Sequence, residues 1–202
     1  MKKLTKGDQT KEHLYRCALA LFRDKGYDGV TVDAIVQRAH VAKGTFYIYF
    51  KSKSDIITEL LKSYDSYYLV LENQLQPSMG VEEKFDAIIT GSCRFTQEEI
   101  GRECIQVLYK ALLKGNDRLD ALDLERALYG IFRALVVEGI AQGHYAKATD
   151  PDHFTRLLLR CIRGTYFEWC IQTKGFDLTE ETLGLTRAFR KAYWVQPGPK
   201  ED

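Results

Sequence analysis

Several features that identify other classes of protein are missing from this sequence of 202 residues. No run of about 18 apolar residues is present to span a bilayer. The apolar share of 45% and the charged share of 28% are those of an ordinary globular protein and exclude a disordered chain. The basic N-terminal residues are not followed by the apolar core of a signal peptide. We therefore expect a soluble protein that resides in the cytoplasm, away from any membrane.

The sequence also lacks the motifs of catalysis and metal binding. It contains no Gly-rich phosphate loop, no Gly-x-Ser-x-Gly turn and no metal-binding His-Glu pattern. The five cysteines show no Cys-x-x-Cys spacing, and the four histidines show no paired ligand spacing. We therefore predict that the protein is not an enzyme and has no catalytic residue, no metal and no cofactor. The cysteines are interpreted as free thiols in a core, with a thiol-based redox sensor as the alternative.

Charge is distributed unevenly along the chain. The net charge is only +1. Residues 1–55 nevertheless hold eleven Lys or Arg and six Asp or Glu, a balance of +5, which leaves −4 for the remainder. This asymmetry fits a basic N-terminal DNA-binding domain followed by a mildly acidic remainder of the chain.

A helix-turn-helix is predicted in the basic part of the chain. After Thr31, which can cap exposed amides, apolar residues recur at the spacing of a short amphipathic helix. The following stretch, 41–53, contains four aromatic residues, three lysines and no acidic residue. In a helix-turn-helix the second helix enters the major groove, and its N-terminal residues contact base edges. Here those residues are Lys43, Gly44 and Thr45.

The residues of this second helix have the chemistry that DNA contact requires. A lysine can donate to guanine or phosphate, a threonine can contact a thymine methyl, and a glycine lets the backbone approach the groove floor. Tyr47, Tyr49 and Lys53 carry donors that can reach phosphate oxygens. Phe46 and Phe50 lie four residues apart and are assigned to the core.

Residues 31–35 and 42–53 resemble the DNA-binding signature of TetR-type transcriptional regulators, the tetracycline-repressor-like proteins. The resemblance covers about residues 8–60. It implies a homodimeric, usually repressing regulator whose C-terminal domain binds a small effector and then releases operator DNA. It also implies that the positions of Lys43, Gly44, Thr45 and Tyr47 lie against bases or nearby backbone. The positions that hold phosphates in such proteins match Thr31, Tyr49 and Lys53.

The rest of the chain has helical periodicity and no strand-like alternation, so we predict an all-α fold. A helix over 54–76 would reach about 35 Å and is predicted to join the two domains. We expect residues 1–55 to form a three-helix DNA-binding domain and residues 56–202 to form an effector-binding and dimerisation domain. The further helices are predicted at 81–95, 98–113, 117–142, 151–173 and 179–195.

The effector site and the dimer interface are predicted from aromatic content and amphipathic pattern. Aromatic side chains with a few polar tips suit a small, mostly apolar ligand, although packed core is the competing interpretation for each. The candidate effector residues are Tyr68, Phe95, Tyr109, Phe132 and Trp169. The last two helices are predicted to pair as a four-helix bundle in the dimer, with ordinary monomer core as the alternative. The candidate dimer residues are Leu158, Cys161, Ile162, Thr165, Leu183, Thr186 and Phe189.

Together these features predict a sequence-specific transcriptional regulator. Its partners would be double-stranded operator DNA, a second copy of the chain and a small effector. Repression is expected, because a dimer on a promoter excludes polymerase. The alternatives are an activator and a redox-responsive regulator of the same fold. A non-specific DNA-compacting protein is disfavoured, because only the N-terminal part of the chain, residues 1–55, is basic.

Overall fold

The computed structural model describes residues 5–114, 122–172 and 174–195, and helices account for most of them. No β-strand occurs in these three ranges, apart from one isolated antiparallel bridge between Tyr145 and Trp194. None of the helices found there is long and apolar enough to cross a membrane. The all-α prediction is confirmed. The helices are α1 (Lys6–Lys25), α2 (Val32–Arg38), α3 (Lys43–Tyr49), α4 (Lys53–Gln74), α5 (Val81–Phe95), α6 (Arg102–Leu113), α7 (Ala127–Ala141), α8 (Pro151–Ile171) and α9 (Leu178–Lys191).

The chain divides into two compact units. The first contains the residues up to Ser63 and the segment that begins at Phe95. The second contains Tyr64–Arg94 and the segment that begins at Leu122. Helix α4 therefore begins in the first unit and ends in the second. The functional boundary expected between residues 55 and 56 stays a prediction.

The N-terminal helices of the first unit form because their ends are capped and their apolar faces meet. The Thr5 hydroxyl accepts from the Asp8 amide at 3.1 Å, while the Asp8 carboxylate accepts from the Thr5 amide at 3.0 Å. This capping box begins α1, and Gly26, with a φ of 75°, ends it. Each large side chain that these helices bury stabilises the fold by about 1.5–3 kcal/mol. The buried set includes Leu14, Ala18, Phe22, Ile35, Phe46 and Phe50.

The predicted helix at 98–113 was wrong at its start. A π-helical turn, Thr96–Ile100, comes first, and the backbone then turns at Gly101, where φ is 84°. Glycine adopts this left-handed region without steric cost, so the chain can break there and restart as α6. The apolar pattern is continuous across the break, which explains why periodicity alone missed it.

The predicted helix at 117–142 also starts too early. Residues 117–121 lie outside the described residues, and residues 122–126 form turns before α7 begins at Ala127. The Asp123 carboxylate accepts from the Glu125 amide at 2.9 Å, an arrangement that favours a turn over a helix. Arg126 then has an extended backbone and takes the N-cap position of α7.

The second unit has an aromatic core and a buried ion cluster. The rings of Phe85 on α5 and Phe132 on α7 stack with centroids 5.8 Å apart. Arg190 on α9 is fully buried and pairs with Glu82 at 2.8 Å and Asp86 at 2.6 Å. Because a buried charge is costly unless it is paired, these contacts fix α9 against the start of α5. Helix α9 also packs along α8.

Candidate DNA-binding interface and effector site

Helices α2 and α3 are joined by a tight turn in the first unit. Thr31 has an extended backbone, and its hydroxyl accepts from the Ala34 amide at 3.2 Å, so the predicted cap on α2 is confirmed. The turn contains His40, with a φ of 53°, and is closed by a hydrogen bond from the Val41 amide to the Val36 carbonyl at 3.1 Å. The two helices contact each other directly. This is the arrangement of a helix-turn-helix.

Helix α3 has one buried side and one exposed side. Phe46 and Phe50 are buried with ring centroids 5.5 Å apart, which confirms their assignment to the core. Tyr47 is 50% exposed and Ile48 is 75% exposed. A Cβ atom at Gly44 would meet no other atom within 4 Å, so the chain's own packing does not require glycine there. The exposed side of α3 is thus available to a partner. Without a partner, the apolar parts of Tyr47 and Ile48 stay in contact with water, which is energetically unfavourable.

Two other DNA-contact candidates lie near this side, and one of them has a partner within the chain. Thr45 is half-buried in the first turn of α3. Lys43 pairs with Asp33 on α2, its Nζ lying 2.8 Å from Oδ1 and 3.0 Å from Oδ2. The hydrogen bond and charge of Asp33 raise the pKa of Lys43. Asp33 was not among the predicted site residues, although its place two residues after Thr31 could have indicated it.

Tyr49 and Lys53 lie at the edges of the helix-turn-helix. Tyr49 is half-buried, and its hydroxyl lies beside Gly7 in the first turn of α1. The Lys53 ammonium donates to the carbonyls of Tyr27 at 2.6 Å and Val30 at 2.9 Å. It also lies 4.1 Å from the centre of the Tyr27 ring. Lys53 therefore fixes the turn between α1 and α2, while its predicted contact with phosphate remains untested.

A chain of buried hydroxyl groups lies in the second unit. The Tyr68 hydroxyl on α4 is 2.6 Å from the Ser92 hydroxyl on α5, which is 3.1 Å from the Tyr166 hydroxyl on α8. Tyr166 also donates to the Cys93 sulfur at 3.6 Å. Burial raises the pKa of both tyrosines, so the groups are neutral near pH 7. Three helices thus meet at one small polar site in an apolar core.

The predicted effector residues are only partly brought together. The rings of Tyr68 and Phe132 lie 6.5 Å apart beside the hydroxyl chain. Trp169 is buried on α8, one turn after Tyr166. Phe95 and Tyr109 belong to the other compact unit. Ser92 and Tyr166 were not predicted, although Ser92 is a polar residue in an otherwise apolar stripe of α5 and could have been noticed.

The predicted dimer residues fall into two groups. Leu158, Ile162, Thr165 and Thr186 are buried within the chain itself. Cys161, Leu183 and Phe189 are half-buried, and the Phe189 ring contacts Phe154 at 5.0 Å. The large apolar side chains that α8 and α9 expose are different ones, namely Phe167, Ile171 and Leu185. Neither set is tested as a dimer contact.

The cysteines are buried or half-buried. Burial raises the pKa of Cys17, Cys93 and Cys161 and raises that of Cys104 to about 12. The thiolate is the reactive form, so these side chains are poor nucleophiles at neutral pH. Across the described residues, no three His, Cys, Asp or Glu side chains come together as metal ligands would.

The fold and the exposed helix define a protein of the helix-turn-helix class, and comparison with known proteins identifies the family. The family model for bacterial regulatory proteins of the tetR family matches residues 14–60. The transcriptional regulator AcrR of Shigella flexneri is 31% identical over 196 residues, which cover 94% of this chain and 91% of AcrR. The chain belongs to the TetR family of bacterial regulatory proteins. The resemblance in residues 31–53 is therefore confirmed.

Two further comparisons agree with this assignment. The transcriptional regulator AcuR of Cereibacter sphaeroides is 41% identical over 63 residues, which are 31% of this chain and 29% of AcuR. The FadR repressor of Thermus thermophilus, solved in complex with lauroyl-CoA, superposes with a TM-score of 0.67. It is 22% identical, and the match covers 95% of this chain and 99% of FadR. At that identity the likeness shows the shared fold alone.

Proposed function

We propose that this protein is a homodimeric, sequence-specific repressor that leaves its operator when a small effector binds. The observation that carries the proposal is the exposed side of α3, which presents Tyr47 and an open Gly44 beside a lysine. Phe46 and Phe50 are buried on the other side of α3, whereas Tyr47 is 50% exposed, so a partner best explains the exposed side. A protein that binds bacterial chromosomal DNA would act in the cytoplasm, where we propose that it resides.

The residues of α3 and its neighbours would divide into two kinds of contact. Lys43, Gly44, Thr45 and Tyr47 would lie in the major groove, where donors and a methyl group can discriminate base pairs. Thr31 and Tyr49 would hold phosphates at the groove edge, which fixes the register of α3 without reading sequence. Lys53 is proposed to contribute less, because two carbonyl groups already accept from its ammonium.

The dimer would form through α8 and α9. Phe167, Ile171 and Leu185 are 44%, 62% and 48% exposed, a group of large apolar side chains that a partner would remove from water. Gly164 and Gly184 on the same helices have open space around them, which permits close approach of another helix. The buried candidates, such as Leu158 and Thr186, would support this surface from behind. A two-fold dimer would place two α3 helices on half-sites about one helical turn of DNA apart.

The effector would bind at the hydroxyl chain of Tyr68, Ser92 and Tyr166. These hydroxyls satisfy one another in an apolar environment, and a ligand that displaces one contact must replace it. An uncharged compound with an apolar body and one hydroxyl or carbonyl group meets that need. An ionised group would be costly there, since it would lose its hydration without gaining a counter-ion. Phe132 would supply an aromatic wall.

Helix α4 would transmit the effector signal. It is continuous from Lys53, next to the DNA-binding helices in sequence, to Gln74, and it carries Tyr68. A Cβ atom at Gly91 of α5 would lie only 2.4 Å from the Leu71 side chain, so α4 is held closely at that point. Movement of α4 would misplace the two α3 helices, and a coupling of about 1–3 kcal/mol would weaken binding by about 5- to 150-fold.

Selection of bound fragments from genomic DNA, followed by release with small molecules, tests this function. We expect enrichment of a two-fold symmetric sequence that binds at nanomolar protein, and release by neutral, mostly apolar compounds. Equal recovery of all fragments would contradict a sequence-specific regulator. Light scattering at micromolar protein should give the mass of a dimer, and a monomer mass would overturn the proposed assembly. A reporter that falls when the gene is deleted would identify an activator instead.

A further inference from the structure

The ion pair between Asp33 and Lys43 lies in the middle of the proposed DNA interface. The lysine ammonium is within hydrogen-bonding distance of both carboxylate oxygens, at 2.8 Å and 3.0 Å. The two side chains are 53% and 70% exposed, for lysine and aspartate respectively. The carboxylate thus occupies the position that a DNA phosphate or a base acceptor would take at Lys43.

The pair contributes little to folding. Exposed ion pairs stabilise proteins only weakly, because water screens both charges. Thr31 already caps α2 through the Ala34 amide, so the helix does not need Asp33 as its cap. The carboxylate does interact favourably with the positive end of α2, but this effect is small at an exposed site. A role in binding explains its position better than a role in stability.

Asp33 also lies where a negative charge opposes DNA binding. In helix-turn-helix proteins the first helix crosses the DNA backbone. Asp33 is in the first turn of that helix, two residues after the proposed phosphate contact Thr31. When Lys43 turns toward DNA, the carboxylate loses its partner and faces phosphates. DNA must therefore supply enough interaction energy to separate the pair.

We propose that Asp33 competes with DNA for Lys43 and thereby lowers the affinity of the protein for DNA of any sequence. The ion pair exists in the free protein, so the free energy needed to break it is the same on the operator and on other sequences. Only the operator, whose base contacts add to the phosphate contacts, then binds tightly enough to stay occupied at low protein concentration. The inference rests on the proposed function and assigns Asp33 as a residue that opposes DNA binding.

The test measures affinity for two duplexes, the operator recovered from genomic selection and a random-sequence duplex. Asp33→Asn removes the charge and keeps a residue of the same shape. We expect it to strengthen random-duplex binding by about fivefold at low salt, the upper limit for an exposed ion pair. Operator affinity should rise by about the same factor, because the free energy needed to break the pair is common to both duplexes and cancels in the ratio of the two affinities. Glu12→Gln is the matched control, because it removes one acid from another exposed pair, Glu12 with Arg16 at 2.7 Å.

A Lys43→Ala background separates competition from simple repulsion. There the Asp33→Asn gain should be less than half as large, because no lysine remains to be released. The proposal is overturned if Asp33→Asn has no more effect than Glu12→Gln. It is also overturned if the gain is undiminished without Lys43 or is absent on the operator. A selection that enriches no sequence would instead contradict the proposed function. The effect of Asp33→Asn can still be measured on the random duplex, so failure of the proposed function and failure of the Asp33 proposal give different results.

Discussion

The exposed side of α3 and the buried hydroxyl chain of the second unit use polar groups in opposite ways. On α3, Lys43 and Tyr47 face solvent, and their contribution to folding is small. In the core, Tyr68, Ser92 and Tyr166 are buried and satisfy one another. Changes to the first region should therefore alter DNA binding with little effect on stability. Changes to the second should alter stability and effector response together.

The largest effect is expected from Lys43→Ala. Loss of a base contact should weaken operator binding by about 5- to 150-fold, and binding should become less selective at the contacted base pair. The melting temperature should hardly change, since the side chain is exposed. Fluorescence anisotropy with the operator and with its single-base variants measures both binding quantities. Unchanged affinity would remove α3 from the DNA interface and end the distinction between the two regions.

Gly91→Ala tests how tightly α4 is held against α5. The added methyl group would lie 2.4 Å from Leu71, so the two helices must separate or Leu71 must move. We expect the free energy of unfolding to fall by about 1–3 kcal/mol, with an altered effector response. Gly130→Ala is the control, because that glycine in α7 has open space around it. This control should be stabilising by up to about 1 kcal/mol. Denaturant titration measures the stability of both variants. Equal stability of Gly91→Ala and Gly130→Ala would contradict the close approach of α4 and α5 at Leu71.

Lys53→Met tests a residue that belongs partly to each kind of region. It removes two hydrogen bonds to backbone carbonyls and should destabilise the protein by about 1–3 kcal/mol. The slope of DNA affinity against salt should fall by less than the one unit expected for a lost phosphate contact, because two carbonyl groups already accept from the ammonium. Lys51→Met, two positions away and exposed, should leave the melting temperature unchanged. If Lys53→Met lowers the slope of DNA affinity against salt by a full unit and leaves stability unchanged, Lys53 is primarily a phosphate contact.

The smallest effect is expected from Tyr68→Phe. Loss of one buried hydroxyl should reduce effector potency by about 2- to 12-fold, the range for a single hydrogen bond. Operator affinity without effector should be unchanged. Tyr193→Phe serves as the control in the same unit. If Tyr68→Phe and the parent protein release DNA at the same effector concentration, the effector binds elsewhere.

The two regions also differ in how far the sequence predicts them. Thr31, Phe46 and Phe50 could be assigned because a cap and an apolar stripe are local patterns, and α5 was predicted with its observed bounds. The hydroxyl chain could not be predicted, since Ser92 is 24 residues from Tyr68 and 74 from Tyr166. Only the packing of three helices brings those groups together.

Some errors arose from backbone features that a pattern of side chains does not reveal. The break at Gly101 depends on a φ of 84°, and the sequence around it stays helical in character. The dimer candidates on α8 and α9 are a different case: they were chosen from the amphipathic pattern, several are buried in the chain's own core, and their role in a dimer stays a prediction. Periodicity identifies an apolar face but does not tell which neighbour covers it.

The ratio of operator affinity to random-duplex affinity tests the central claim most directly. It should be measured at about 0.15 M salt, where non-specific binding is screened. A regulator that reads bases through α3 should bind the selected operator at least about 1,000-fold more tightly than the random duplex. A ratio near one would contradict sequence-specific recognition by this chain.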